Sequence, residues 1–255
     1  MVFQASLAPL SISIPIGRRR VFTPSWFMTA LTLLAIVVFI GFGRWQWERG
    51  VAKEASWRSF SAAAGPAVAL GDRPLTALAP FARIEVTGRY DGAHQFLLDN
   101  RTHDGAPGYE VLTPLELADG RRLIVNRGWV PFSGYRDRLP DIALPAGAGQ
   151  VTVTGRVDAL PLEGLESGRA PPDAGAHWPK VTTFPHMAEL AAALGQPLEA
   201  RQLLLDASMP DGYVRAWQPP GVPPLRHFSY AAQWWLFAAT AAVLYGVLNL
   251  HKVER

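Results

Sequence analysis

Two uncharged stretches of 23 residues, 21–43 and 228–250, lie near opposite ends of this 255-residue chain and limit most of what it can become. As a helix each spans about 34 Å, enough to cross a hydrocarbon core of about 30 Å. Both are therefore predicted to be transmembrane helices. Arg18, Arg19 and Arg20 precede the first, which Arg44 closes. Trp45 and Trp47 follow at the level of an interfacial aromatic belt. Arg19, Arg20, Val21 and Phe22 faintly echo a twin-arginine export signal. That alternative is disfavoured, because the apolar run exceeds the usual signal core of about 7–15 residues and no A-x-A cleavage site follows.

Two crossings put residues 1–20 and 251–255 on one side of the bilayer and residues 44–226 on the other. The predicted order is a tail (1–20), a first transmembrane helix (21–43), an external domain (44–226), a second transmembrane helix (227–250) and a short tail (251–255). Residues 1–43 and 251–255 together carry a net charge of +4, and the intervening chain carries −1. Basic tails suit a cytoplasmic location for both termini, although Arg44, Arg49 and Lys53 flank the other end of the first helix in equal number. A near-neutral middle without a basic cluster argues against nucleic-acid binding, which rests on many phosphate contacts. The absence of cysteine excludes disulfides, thiolate metal sites and CxxC redox chemistry.

Residues 51–80 are rich in Ala, Gly and Pro and read as a short helix and a connector. Beyond them, short runs such as ARIEVTGRYD, YEVLTPLEL, RRLIVNRGWV and QVTVTGRVD alternate with turn pairs including Asp91-Gly92 and Asp119-Gly120, a pattern of β-strands joined by tight turns. VTGR occurs at residues 86–89 and again at 153–156, marking related strand ends in one sheet. Residues 185–194 form one helix with an apolar face of Met187, Leu190, Ala191 and Leu194, with Pro185 placed in its first turn and Gly195 ending it. The Gly- and Pro-rich residues 161–180 read as an exposed loop. The expected architecture is membrane-anchored α+β: two transmembrane helices flanking an antiparallel β-sheet or small β-barrel with a short covering helix.

Chemistry is sparse by comparison. No GxSxG, HExxH, Walker or Rossmann pattern is present, so an enzyme is not expected. The polar cluster at residues 99–104 offers a metal His103 and, upstream, His94, but neither their spacing nor that of His177 and His186 matches a known ligand set; the cluster reads as a hairpin loop. Arg127 lies in an apolar strand and needs a partner, either a carboxylate within the fold or an acidic group on a ligand. Trp129 beside it is read as core. At the start of the second helix, His227, Tyr230, Ala231 and Trp234 share one helical stripe. Tyr and Trp belong to any aromatic belt, whereas His227 is either a solvated imidazole or a ligand of the kind that binds haem iron, with the aromatics packing a porphyrin and Arg226 and Arg215 near its propionates.

GRWQWERG (residues 43–50), GYEVLTPLEL (108–117), LIVNRGWVP (123–131) and HFSYAAQWW (227–235), in that order between two spans, resemble the Surfeit locus protein 1 family. The resemblance covers nearly the whole chain. It implies a non-enzymatic assembly factor for cytochrome c oxidase, anchored in the bacterial inner membrane in preference to the mitochondrial one. It further implies binding of haem a as cargo, with oxidase subunit I and haem a synthase as partners. His227 matches the family histidine implicated in haem binding, with Tyr230, Trp234 and Arg226 as expected neighbours of the cofactor. Trp45, Gln46, Arg49, Asn126, Arg127, Gly128, Trp129 and Gln233 match motif positions without an assigned role. Phe42 replaces a common Leu, and Leu225-Arg226 replaces an Asn-rich approach to the histidine. The competing expectation is a membrane-anchored, protein-binding scaffold with no haem site of its own.

Overall fold

The computed structural model describes residues 13–15, 20–63, 65–145, 149–161, 168–219 and 221–252. Most of the expected N-terminal tail, Arg18 and Arg19 included, lies outside the described residues, as do residues 162–167 of the Gly- and Pro-rich loop. In chain order the elements are β1 (Ile14–Pro15), β2 (Arg20–Phe22), α1 (Trp26–Ala62), β3 (Val68–Ala69), a 3-10 turn (Leu75–Ala77), β4 (Arg83–Tyr90), β5 (Phe96–His103) and β6 (Ala106–Leu117). They continue with β7 (Arg122–Pro131), β8 (Val151–Asp158), β9 (Lys180–Thr182), α2 (Met187–Leu194), β10 (Gln202–Leu205), α3 (Pro224–Leu248) and β11 (Leu250–Lys252). These fall into two compact units: Met1–Ser56 with Gly221–Arg255, and Trp57–Pro220.

In the first unit the helices start and stop at prolines and caps, not at the edges of the uncharged runs. Thr23 precedes Pro24, and the residue before a proline is pushed out of the helical region, so α1 begins only at Trp26. Val21 and Phe22, expected at the head of that helix, instead pair in β2 with Pro15 and Ile14 on one side and His251 and Leu250 on the other. Nor does α1 end at Gly43. A lone glycine costs a helix about 1 kcal/mol relative to alanine, and the good helix formers beyond it, with Arg44 and Glu48 paired at i,i+4 over 2.9 Å, carry the helix on to Ala62. The helix expected somewhere in residues 51–80 is thus the end of α1. Pro224 at the first position of α3 supplies the required φ, so that helix starts ahead of His227. At its far end Asn249 Nδ2 donates to the Tyr245 carbonyl at 2.8 Å. Both helices are long and apolar enough to cross a membrane, and most of their apolar side chains are exposed.

The second unit is built on a closed ring. β4, β8, β10, β7 and β6 are hydrogen-bonded in that order, and β4 pairs again with β6. Each ring strand turns two side chains inward: Ile84 and Val86, Val153 and Val157, Leu203 and Leu205, Leu123 and Val125, Leu115 and Leu117. This is the period-2 alternation of a barrel whose interior is packed with side chains, and Leu70 and Leu75 complete the same core. The repeated VTGR segments prove to be direct neighbours, with Val86 opposite Val153 and the Thr87 and Thr152 hydroxyls 2.8 Å apart. A Cβ at Gly88 would collide with the Glu116 carbonyl, and one at Gly155 with the Leu204 carbonyl, so both copies mark places where strands press together.

The sheet is mixed, which corrects the antiparallel expectation. β3 with β4, β5 with β9 and β7 with β10 run parallel. Parallel neighbours require crossover connections, and β3, β9 and β10 are short strands that meet their partners without a hairpin turn, β10 arriving only after α2. α2 packs Leu190 with Phe96, Leu98, Leu112 and Ile124, and so covers one sheet face as expected. Its N-cap is His186, whose backbone N–H donates to Glu189 Oε2 at 2.8 Å, so Pro185 precedes the cap and does not enter the first turn. Gly195 at φ 72° closes the helix in the left-handed conformation.

Candidate functional site

Within the first unit, Gly43 and Gly50 are a heptad apart on α1, and Phe228 and Trp235 are a heptad apart on α3. A Cβ on Gly43 would strike the Trp235 indole, and one on Gly50 would strike the Phe228 ring, so each glycine is a notch holding one ring. Trp47 lies between them, its ring centroid 4.9 Å from that of Phe228 and 5.8 Å from that of Trp235. Small residues that admit close approach are the usual means of helix pairing in an apolar medium, where no hydrophobic driving force acts between helices.

The same face of the pair carries a polar contact at its charged end. Gln46 Oε1 is 2.9 Å from Nδ1 of half-buried His227, and Nε2 of the same ring has no hydrogen-bond partner among the described residues. The rest of the expected stripe divides. Ala231 is fully buried, and the half-buried Trp234 ring lies 5.8 Å from Phe39 and 5.0 Å from Phe42, both on α1. Tyr230 is 48% exposed, and Arg226 and Gln233 are exposed as well. Trp45 is exposed, with the Arg49 guanidinium 4.6 Å from its ring centre. The structure thus brings Gln46 to His227, a pairing that the sequence reading did not find. The matched heptads of Gly43 and Gly50 with Phe228 and Trp235 were the available signal.

The second unit gives the Asn126–Trp129 motif a set of packing duties. Asn126 Nδ2 donates to Glu110 Oε2 at 2.6 Å, and Arg101 Nε holds the other oxygen of that carboxylate at 2.7 Å. Arg127 is 2% exposed and forms no ion pair with a carboxylate among the described residues. Its Nε donates to the Asp211 carbonyl at 2.7 Å and its Nη1 to Gln95 Oε1 at 2.9 Å, while the Tyr213 ring centre lies 5.1 Å from the guanidinium carbon. Burial lowers its pKa, with Tyr213, Tyr90 and Asp211 acting in the opposite sense. Gly128 at φ 111° lets residues 213–214 dock against the strand, where Trp129 N–H donates to the Val214 carbonyl at 2.8 Å. Trp129 itself is half-buried, lying over Gly108, and is not full core. Arg215 is occupied by the Asp206 and Met209 carbonyls, both at 2.7 Å. His94 and His103 find separate acids, Asp91 at 2.7 Å and Asp104 at 3.4 Å.

Tyr90 gives this network a pH signature. Its hydroxyl is buried without a hydrogen-bond partner among the described residues, and burial pushes its pKa up to about 12, against the weaker pull of Arg127. The neutral phenol is therefore favoured in the folded state. Its contribution is complete below the unfolded value of about 10 and is lost as pH rises toward 12. Two pH units correspond to roughly 3 kcal/mol. Tyr90→Phe, which removes an unsatisfied hydroxyl, should be neutral or stabilising by about 1 kcal/mol at pH 8. It should also flatten the fall in stability between pH 10 and 12, as read from urea unfolding of the detergent-solubilised protein at both ends of that range. A variant that declines as steeply as the wild type would exclude Tyr90 as the source.

A closed β-barrel whose segment of chain is flanked by two apolar helices, with an imidazole hydrogen-bonded across the helix pair, defines a helix-tethered barrel protein. The SURF1 family model matches residues 33–239, and the chain belongs to the SURF1 family. A SURF1-like protein of Dictyostelium discoideum is 41% identical over 59 residues, a segment covering 22% of this chain and 22% of that relative's length.

Proposed function

We propose that the chain is a two-pass membrane protein that assists cytochrome c oxidase assembly by holding haem a, as cargo, for delivery to or retention in subunit I. In this reading α1 and α3 cross the bacterial inner membrane, both termini are cytoplasmic and the barrel is periplasmic. Family membership supports the oxidase role. The observation that carries the haem site is His227, with Nδ1 engaged by Gln46 and Nε2 without a partner among the described residues. Haem iron takes a nitrogen lone pair of this kind as its axial ligand. Tyr230, exposed one turn further along α3, offers a ring to the macrocycle, and exposed Arg226 offers a cation to the propionates.

One observation favours the scaffold alternative: Trp234, expected against the porphyrin, already lies against Phe39 and Phe42. The two readings differ in a spectrum. Purified in mild detergent from a membrane that makes haem a, the full-length protein should carry a Soret band that grows with haem a supply. A folded protein without that band under saturating supply would overturn the haem reading and leave the scaffold.

A further inference from the structure

We propose that Gln46 is a positioning residue that fixes the tautomer of His227 and makes Nε2 the electron-donating nitrogen. An amide oxygen only accepts hydrogen bonds, so Oε1 at 2.9 Å from Nδ1 calls for a proton on Nδ1, which in the neutral ring leaves the lone pair on Nε2. Free imidazole side chains in water prefer the opposite tautomer, with the proton on Nε2, and the ring therefore needs a partner to hold it the other way. Gln46 is well suited to that task. It lies one turn beyond Gly43 and one turn before Gly50, between the two notches that receive the Trp235 and Phe228 rings of α3. An acceptor on the second ring nitrogen also raises the basicity of the first, as partners of metal-bound histidines do. What this means for haem rests on the function proposed above, whereas the tautomer is a property of the protein alone.

The test separates the two. Full-length protein labelled with 15N-histidine, without haem and in detergent at a pH where the ring is neutral, gives a His227 signal identified by its absence in His227→Gln. The wild type should show a bare Nε2 and a protonated Nδ1. Gln46→Met, of similar length but without the amide acceptor, should move the population toward the Nε2-protonated form. Gln46→Glu, which keeps size and restores an acceptor, should return it. An unchanged tautomer in Gln46→Met, or a wild type already protonated on Nε2, would overturn the proposal whatever haem does. With haem a bound, Gln46→Met should weaken retention about 10- to 100-fold. The iron–histidine stretching frequency should fall in Gln46→Met and rise in Gln46→Glu. Equal frequencies in all three proteins, while His227→Ala abolishes binding, would also overturn it. If His227→Ala retains haem, the ligand assignment fails, and the tautomer result still decides the role of Gln46.

Discussion

His227→Ala should yield a protein that inserts and folds like the wild type and leaves the membrane without haem a. Among the described residues the ring's hydrogen bond to another helix is the one to Gln46, and the notch packing of Phe228 and Trp235 on Gly50 and Gly43 remains when the ring is removed. Folding should therefore change by no more than about 1–2 kcal/mol, the order of one hydrogen bond and some buried ring. Binding should suffer far more. Loss of a partner that merely orients a ligand costs about 10–100-fold, and loss of the ligand itself should exceed that. The measurement is the ratio of Soret to protein absorbance after purification, together with haem a content of the mature oxidase. Trp234→Leu should reduce retention less, and should loosen the helix pair as well, because its ring contacts Phe39 and Phe42. An unchanged spectrum in His227→Ala would remove the axial-ligand assignment and return this residue to the role of a helix-pairing histidine.

The parts of this fold that were legible in the sequence are those governed by local periodicity. Two uncharged runs announced two apolar helices, and alternating β-branched strands with Asp-Gly turns announced the sheet. Leu190 on a short amphipathic stretch announced the covering helix. What was not legible depended on partners distant in the chain. The extension of α1 through Arg44 to Ala62 was obscured because Gly43 and the charges that follow read as the end of a span, whereas helix propensity is indifferent to the bilayer. Closure of the barrel rests on Gly88 to Tyr90 meeting Leu115 to Leu117, and parallel placement of β10 beside β7 rests on Leu203 meeting Val125. Neither leaves a trace in local patterning. At the candidate site, His227 drew notice for its chemistry, while Gln46 was only a motif position. A neutral amide announces nothing until the residue opposite is known.

Arg127 shows the same limit in energetic form, since the sequence called for an acidic partner and the fold supplies neutral oxygens. Four stretches of chain converge on its guanidinium: Gln95 just before β5, Thr113 on β6, Ile142 from the link after β7, and Asp211 with Tyr213 from the segment docked on Gly128. Gln95 is itself tied into the same cluster, its Oε1 accepting from Thr113 Oγ1 at 2.8 Å and its Nε2 donating to the Ile142 carbonyl at 3.1 Å. Arg127→Met keeps most of the aliphatic volume and removes every donor, leaving the Asp211 carbonyl and Gln95 Oε1 short of their strongest partner. A hydrogen bond to a charged group is worth about 1.5–3 kcal/mol and two short ones are lost, so the loss should be on the order of 3–5 kcal/mol. That is a large part of the roughly 5–15 kcal/mol that holds a domain folded. Arg127→Lys should recover only part of it, because an ammonium cannot span the separated acceptors as the planar fork does. Urea unfolding monitored by tryptophan fluorescence should shift to a lower midpoint for Arg127→Met, with Arg127→Lys between it and the wild type. His227-dependent spectra should be retained in whatever fraction stays folded. An Arg127→Met protein as stable as the wild type would mean that the guanidinium is not needed for the fold, and would favour the alternative that it is kept for an acidic ligand.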